Sequence, residues 1–83
     1  DAVDLAAWNG TIRWEMPCYF KIAEAMRDAA REQNVGIRWG GSWIVPDIRS
    51  WQGTMQQAYD AYITNRHMKG LKPFIDGPHF ELI

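Results

Sequence analysis

The sequence predicts an α+β domain built around a small sheet. Short segments that alternate apolar and polar residues occur at both ends of the chain, near residues 2–7 and 79–82. Between them lie two segments in which apolar residues recur at helical spacing, separated by a short strand-like segment. The order strand, helix, strand, helix, strand, with short strands, is typical of the α+β class.

Length and composition limit the chain to one domain, spanning residues 1–83. A chain of this size buries only about 60% of its unfolded surface, but 47% apolar residues and five tryptophans indicate a folded protein. The formal charge of −1 gives no reason to expect nucleic acid or a membrane as partner. Cys18 is the only cysteine, which excludes an internal disulfide and a Cys-rich zinc site. No segment reaches the roughly 20 apolar residues that span a bilayer, and no signal-peptide pattern opens the chain.

The first predicted strand covers residues 2–7. Val3 and Leu5 face one side of it and Asp4 faces the other, because side chains alternate along a strand. The segment Trp8-Asn9-Gly10-Thr11 predicts a turn, since Asn-Gly tolerates positive φ.

Two helices are predicted. The first covers residues 18–33, with Pro17 acceptable in its first turn and Asn34 ending it. Ser50 is the predicted N-cap of the second helix. The apolar stripe of this second helix consists of Trp51, Met55, Tyr59, Tyr62 and Ile63.

The segment between the helices predicts a strand at Ile37-Arg38-Trp39. Gly40-Gly41 follows, where the backbone bends or is approached closely by another group. Trp43-Ile44-Val45 is expected to continue in an extended conformation up to Pro46.

The last eight residues, 76–83, carry the most informative pattern. An Asp-Gly-Pro turn delivers His79 to the first position of a strand-like ending. Phe80 and Leu82 then face one side of the sheet, whereas His79 and Glu81 face the other.

This pattern can support metal chemistry. A carboxylate three residues before a histidine places a general base beside a metal ligand, so Asp4 and His79 are candidate ligands and Asp76 a candidate base. Glu81 is a candidate to orient the His79 ring, or it faces water. His67 lacks a ligand partner at helical spacing. The alternative is that Asp-Gly-Pro is simply a good turn and His79 a strand histidine bonded to a backbone carbonyl.

Two tryptophans flank the double glycine. Trp39 and Trp43 are candidates to line a groove for a sugar or a peptide, although most tryptophans in a small domain pack in its core. Cys18 is expected to be buried rather than nucleophilic, since no basic group that would activate it lies nearby in sequence.

Several stretches together resemble a known family. Residues 76–82 resemble the closing signature of the zinc D-Ala-D-Ala carboxypeptidase and L-alanyl-D-glutamate endopeptidase family, in particular its phage endolysin branch. Residues 2–7 resemble the end of the family's Ser-x-His-x-x-Gly-x-Ala-x-Asp motif. Residues 19–35 resemble its long helix, and 37–43 its Arg-Trp-Gly-Gly-x-Trp strand. Residues 44–72 are interpreted as a helical insertion.

The resemblance implies a Hedgehog/DD-peptidase-like fold with the site on the open face of a small antiparallel sheet. It implies a Zn²⁺ cofactor, with Asp4 as the second ligand, His79 as the third and Asp76 as the base. The family's first ligand is a histidine seven residues before the aspartate, which falls ahead of residue 1. Either the upstream segment that carries this ligand was lost, or it sits in another chain, or the chain is natively truncated. We therefore expect the 83 residues alone to bind zinc weakly and to be inactive.

The function implied is hydrolysis of a peptidoglycan stem peptide, by an L-Ala-D-Glu endopeptidase or a D-Ala-D-Ala carboxypeptidase. The Trp-Gly-Gly-x-Trp and Asp-Gly-Pro-His forms favour the endopeptidase. A phage enzyme of this kind acts from the host cytoplasm on the periplasm and cell wall, whereas a bacterial one belongs to the periplasm or cell envelope. The alternatives are a non-catalytic module that binds the cell wall or a partner, and a structural domain without metal.

Overall fold

The computed structural model of the chain describes residues 2–4, 7–8, 12–13 and 15–83. These residues form two α-helices and a three-stranded antiparallel sheet, which confirms the predicted α+β class. In chain order the elements are β1 (Ala2–Asp4), β2 (Ala7–Trp8), β3 (Ile12–Arg13), α1 (Met16–Gln33), β4 (Ile37–Trp39), a 3₁₀-helix (Ile48–Ser50), α2 (Met55–Met68) and β5 (His79–Leu82).

The sheet has its last strand in the middle. β5 pairs antiparallel with β1 on one side and with β4 on the other. In this register Asp4 lies opposite His79, and Arg38 lies opposite Glu81. Because opposed residues of an antiparallel pair share a face, one face of the sheet carries these four polar side chains. The other face carries Val3, Ile37, Trp39, Phe80 and Leu82.

Helix α1 covers the apolar face of the sheet. It begins after Glu15, two residues before the predicted start, with Pro17 in its first turn, where a missing N–H costs nothing. Asn34 ends it in the left-handed conformation (φ 54°, ψ 49°), as predicted. The buried side chains recur every three or four residues along one face of the helix: Tyr19, Ala23, Arg27 and Ala30.

Helix α2 begins later than the sequence predicted. Its N-cap is Thr54, not Ser50, because Thr54 and Gln57 form a reciprocal capping box. The Glu24 carboxylate accepts a further hydrogen bond from the Met55 N–H, which ties the helix start to α1. Ser50 instead lies in the 3₁₀-helix, which is capped by Asp47.

Residues 44–72 are part of the core rather than an appendage to it. Val45, Ile48, Met55 and Ala58 join the same buried cluster as the sheet and α1. Tyr62 is also buried, and Trp51 and Tyr59 pack at its edge. The predicted apolar stripe of α2 is therefore mainly a packing surface, and whether the segment is an insertion stays a prediction.

One of the local predictions made from the sequence is wrong. Trp43 and Ile44 form a turn rather than an extended continuation, with the Val45 N–H donating to the Ser42 carbonyl. Val3 and Leu82 point to the same side as buried Phe80 but remain about half exposed, at 47% and 49%. Val3 and Leu82 line an apolar cleft together with Met26 of α1.

The predicted first strand is shorter than expected. β1 ends at Asp4, and Ala7–Trp8 pairs instead with Ile12–Arg13 in a separate two-stranded ribbon. The predicted position of Leu5 and the turn at residues 9–11 lie outside the described residues. Neither helix is long and apolar enough to cross a lipid bilayer, as far as the described residues go.

Candidate metal centre

Three potential metal ligands meet at the polar face of the sheet. A carboxylate oxygen of Asp4, one of Asp76 and a ring nitrogen of His79 all lie within 4.8 Å of one another. Asp4 ends β1, Asp76 begins the turn before β5, and His79 is the first residue of β5. In the part of the chain that the structure describes, this is the group with the composition of a metal site.

Backbone hydrogen bonds fix the turn that carries Asp76. The His79 N–H donates to the Asp76 carbonyl at 2.9 Å, which closes the Asp-Gly-Pro-His turn. The Asp76 N–H donates to the Gly40 carbonyl, and the Gly40 N–H donates to the His79 carbonyl, both at 2.9 Å. The end of β4 therefore holds both ends of the turn.

The double glycine makes this close approach possible. A methyl group on Gly40 would lie 2.2 Å from the Asp76 carbonyl oxygen, and one on Gly41 would lie 2.2 Å from the Trp39 ring. Trp39 in turn donates from its indole N–H to the Gly77 carbonyl at 2.8 Å. This confirms the prediction that other groups approach the backbone closely at Gly40-Gly41.

The His79 ring is held by carboxylates on both sides. Its Nδ1 lies 3.1 Å from Asp4 Oδ1, and its Nε2 lies 2.8 Å from Glu81 Oε1. The hydrogen bond that the His79 ring donates to Glu81 is the main cause that raises the pKa of His79 above its ordinary value. Partial burial lowers this pKa, and the contact with Asp4 raises it further. When the ring is neutral and Nε2–H donates to Glu81, the Nδ1 lone pair faces Asp4.

Aromatic side chains flank the histidine. The Trp43 ring lies 5.6 Å from the His79 ring, centroid to centroid, and Phe74 stacks on Trp43 at 6.1 Å. The guanidinium of Arg38 lies over the Trp43 ring, 5.1 Å from its centroid. These groups form one continuous rim beside the candidate metal ligands.

Clefts open on two sides of the cluster. One, of about 310 Å³, borders Asp76 and is lined by Met16, Tyr19 and the turn residues 75–78. The other, of about 340 Å³, borders Glu81 and is lined also by Arg38, Trp43, Pro46 and Ile83. The cluster therefore has one cleft beside Asp76 and another beside Glu81.

The structure brings together most of the residues singled out in the sequence. Asp4, Asp76, His79 and Glu81 form one contact network, and their roles stay predictions. Trp43 borders this network, as a groove residue would. The prediction for Trp39 is wrong: its side chain is fully buried, at 0% exposure, and serves as the centre of the core.

Two further residues bear on the sequence analysis. The structure leaves His67 outside the cluster and places Arg38, which the sequence analysis did not single out, beside it. His67 is exposed on α2 and is not part of the cluster. Arg38 was not singled out in the sequence, although alternation along Ile37-Arg38-Trp39 already set it opposite the buried positions. Only the register of β4 against β5 shows that Arg38 lies beside Glu81.

Comparison with known protein families gives a match along residues 1–83. The family model described as phage L-alanyl-D-glutamate peptidase matches residues 1–83. No curated protein and no solved structure matches the chain.

Proposed function

The chain belongs to the phage L-alanyl-D-glutamate peptidase family, and from that premise we propose that it hydrolyses a peptidoglycan stem peptide with the help of zinc. One observation carries the proposal. In a chain matched from end to end by a peptidase family, Asp4, Asp76 and His79 offer ligand atoms within 4.8 Å of one another. An imidazole and carboxylates are the donor set of catalytic zinc sites.

The separation of Asp4 and His79 fits a single ion. Zinc takes nitrogen and oxygen ligands at about 2.0–2.2 Å, so two ligands of one ion lie at most about 4.4 Å apart. Asp4 Oδ1 and His79 Nδ1, at 3.1 Å, meet this limit, and we assign them as ligands. Bound zinc supplies a Lewis acid that polarises the scissile carbonyl and lowers the pKa of water.

Asp76 has the position of a general base. Its carboxylate accepts the proton of the attacking water and returns it to the leaving amine nitrogen. The turn closed by the His79 N–H and the bond to Gly40 hold Asp76 in place, which limits the freedom lost when substrate binds. Glu81 accepts from His79 Nε2 and keeps Nδ1 available as a ligand.

Separate variants test the ligand and the base. The protein is expressed from its complete reading frame, with whatever residues flank 1–83, and zinc content and hydrolysis of stem peptides are measured. We expect His79→Ala to lose zinc and activity together. Asp76→Asn is expected to keep zinc and to lower kcat by about 10²- to 10⁴-fold. His67→Ala, which changes an exposed histidine on α2, serves as the matched control and should change neither.

Other outcomes favour other classes. Loss of zinc from Asp76→Asn would make Asp76 a ligand and contradict its assignment as the base. A protein that binds peptidoglycan without zinc or hydrolysis would be a binding module. If His79→Ala changed neither zinc content nor activity, the proposed centre would be wrong.

A further inference from the structure

Arg38 lies on the catalytic face with part of its hydrogen-bonding capacity unused. Within the described residues its guanidinium forms one hydrogen bond, from Nη2 to the Trp43 carbonyl at 2.7 Å. No described carboxylate lies within ion-pair distance of it, whereas Arg27 and Arg49 pair with Glu24 and Asp47. Its Nε is buried and has no partner among the described residues.

A second donor without an acceptor lies in the same cleft. The indole Nε1 of Trp43 is buried and unpartnered within the described part of the chain, and Arg38 covers the same ring. Leaving a buried donor unpaired is unfavourable, so two such donors on side chains that contact each other indicate a place where an acceptor enters. Because both atoms are shielded from solvent, the side chains that cover them must shift when a ligand reaches them.

The distance to the metal ligands suits a single substrate residue. Arg38 lies opposite Glu81, which is two residues along β5 from His79. Two residues of strand rise and one spacing between strands place the Cα atoms of Arg38 and His79 about 8 Å apart. A group attached to the residue on one side of the reacting bond can span this gap.

The negative charge of the cluster would repel an anionic substrate unless a cation lies nearby. Asp4, Asp76 and Glu81 carry three carboxylates on this face, more than one divalent ion neutralises. A glutamyl residue joined on one side through its nitrogen and on the other through either carboxyl group keeps one free carboxylate. Without a cation nearby, this fourth carboxylate would be repelled.

We propose that Arg38, with the Trp43 indole N–H, binds the free carboxylate of the D-glutamyl residue on the leaving side of the reacting bond. The cleft of about 340 Å³ between Arg38, Trp43 and Glu81 receives that residue. This inference rests on the proposed function, since it concerns the substrate of the same site. An arginine suits the task because its planar group pairs with both oxygens of a carboxylate.

Two substrates that differ by one group test the proposal. One peptide contains the L-Ala–D-Glu bond with the free glutamate carboxylate, and the other carries a carboxamide there. We expect the wild-type protein to prefer the carboxylate by about 10- to 100-fold in kcat/KM. Arg38→Gln should bring the two values together by slowing only the carboxylate peptide. Lys21→Gln removes a positive charge from the exposed side of α1 and should keep the preference.

The ratio of kcat/KM for the two peptides distinguishes recognition of the carboxylate by Arg38 from a merely structural role. If Arg38→Gln slows both peptides equally, or if the wild-type protein does not discriminate, the proposal for Arg38 is wrong while the peptidase function stands. If the wild-type protein cleaves neither peptide, the proposed function fails and this inference with it. Should Arg38→Gln not fold, Arg38→Met keeps the stem over Trp43 and gives the same comparison.

Discussion

The His79 ring is oriented by residues that are adjacent to it in space but come from different parts of the sequence. Asp4, 75 residues away, contacts Nδ1, whereas Glu81, two residues away, contacts Nε2. The contacts at Nε2 and Nδ1 have different roles. A group on Nε2 fixes which nitrogen carries the proton, and the carboxylate beside Nδ1 completes a place for a cation.

Replacement of Glu81 by alanine tests this orientation. We expect zinc affinity to fall about 10- to 100-fold, because the ring loses the acceptor that fixes its tautomer. In the metal-free protein the pKa of His79 should fall toward its ordinary value, since the Glu81 hydrogen bond is the main cause of its rise. Zinc titration and histidine NMR measure the two effects. Glu32→Ala, on the exposed side of α1, is the control, and equal losses in both variants would contradict a specific role for Glu81.

At the scale of elements, the connection from β4 to the Asp76 turn determines the site. Three backbone hydrogen bonds join Gly40, Asp76 and His79. They require the two segments to approach more closely than a side chain at position 40 allows. The sequence indicates such an approach through the pair of glycines, but not which segment makes it.

Replacement of Gly40 by alanine should therefore affect the site through the backbone. The added methyl group would meet the Asp76 carbonyl oxygen at 2.2 Å, so the turn must move. We expect a loss of about 1–3 kcal/mol in stability and of about 10²-fold in activity, as Asp76 is displaced. Gly70→Ala is a useful control. It strains a residue with φ of +67° but meets no neighbouring atom, so it should cost stability and leave activity intact. Normal activity in Gly40→Ala would show that the turn tolerates movement.

A second connection joins the 3₁₀-helix to the edge of β4 through Asp47, and its contribution to stability depends on pH. Asp47 accepts hydrogen bonds from the Arg49 backbone and side chain, and from the Ile37 N–H at the edge of β4. The Arg49 side-chain hydrogen bond is the main cause that lowers the pKa of Asp47. Because this pKa is lower in the folded state, the pair stabilises the protein above the ordinary aspartate pKa. The contribution is lost as pH falls through the folded pKa.

Two substitutions of Asp47 separate charge from capping. Asp47→Ala should cost about 1–2 kcal/mol at neutral pH, because cap and ion pair are both lost. Asp47→Asn keeps a capping oxygen and should cost less. Urea unfolding at pH values from about 7 to 2 measures the stability difference between the wild-type protein and Asp47→Asn, which should shrink toward zero at the acid end as the wild-type carboxylate is protonated. A constant difference across this range would mean that the charge contributes nothing.

At the scale of the whole molecule, the sequence predicts the elements better than their contacts. The helical pattern of residues 18–33 and the alternation of residues 37–39 are local signals, and both elements form. The start of α2 depends instead on which of two possible N-cap residues, Ser50 or Thr54, caps the helix. Only Thr54 has a glutamine three residues later to complete a capping box, and Glu24 of α1 adds to it.

In the candidate site, too, the sequence predicts local contacts but not those between distant segments. The Asp-Gly-Pro-His turn places Asp76 beside His79 through local geometry, so this pair is visible in the sequence. The sequence does not distinguish buried Trp39 from Trp43, which borders the site, because both flank the same glycines. Their difference arises because Trp39 lies on the sheet face that α1 covers, whereas Trp43 lies in the turn after β4, beside His79. Arg38 is recognised as a neighbour of the site only through pairing between strands.

Two arginines of α1 show how burial decides the stability of the assembled core. Arg27 donates to the Trp51 and Gly53 carbonyls and pairs with Glu24, and it is only 8% exposed. Arg31 also donates to the Trp51 carbonyl, but from an exposed position. Both side chains tie α1 to the segment before α2.

We expect Arg27→Ala to destabilise the protein by about 3 kcal/mol, because it removes the donor to the part-buried Gly53 carbonyl, takes the ion-pair partner from Glu24 and opens a gap beside α1. Arg31→Ala should cost about 1 kcal/mol or less, since water replaces the lost donor. For a domain of this size each kcal/mol lowers Tm by about 4–8 °C, so thermal unfolding separates the two variants. Equal losses would show that the shared hydrogen bond to Trp51, rather than burial, sets the contribution of these residues. A larger loss for Arg31 would mean that the α1–α2 connection depends mainly on the exposed edge.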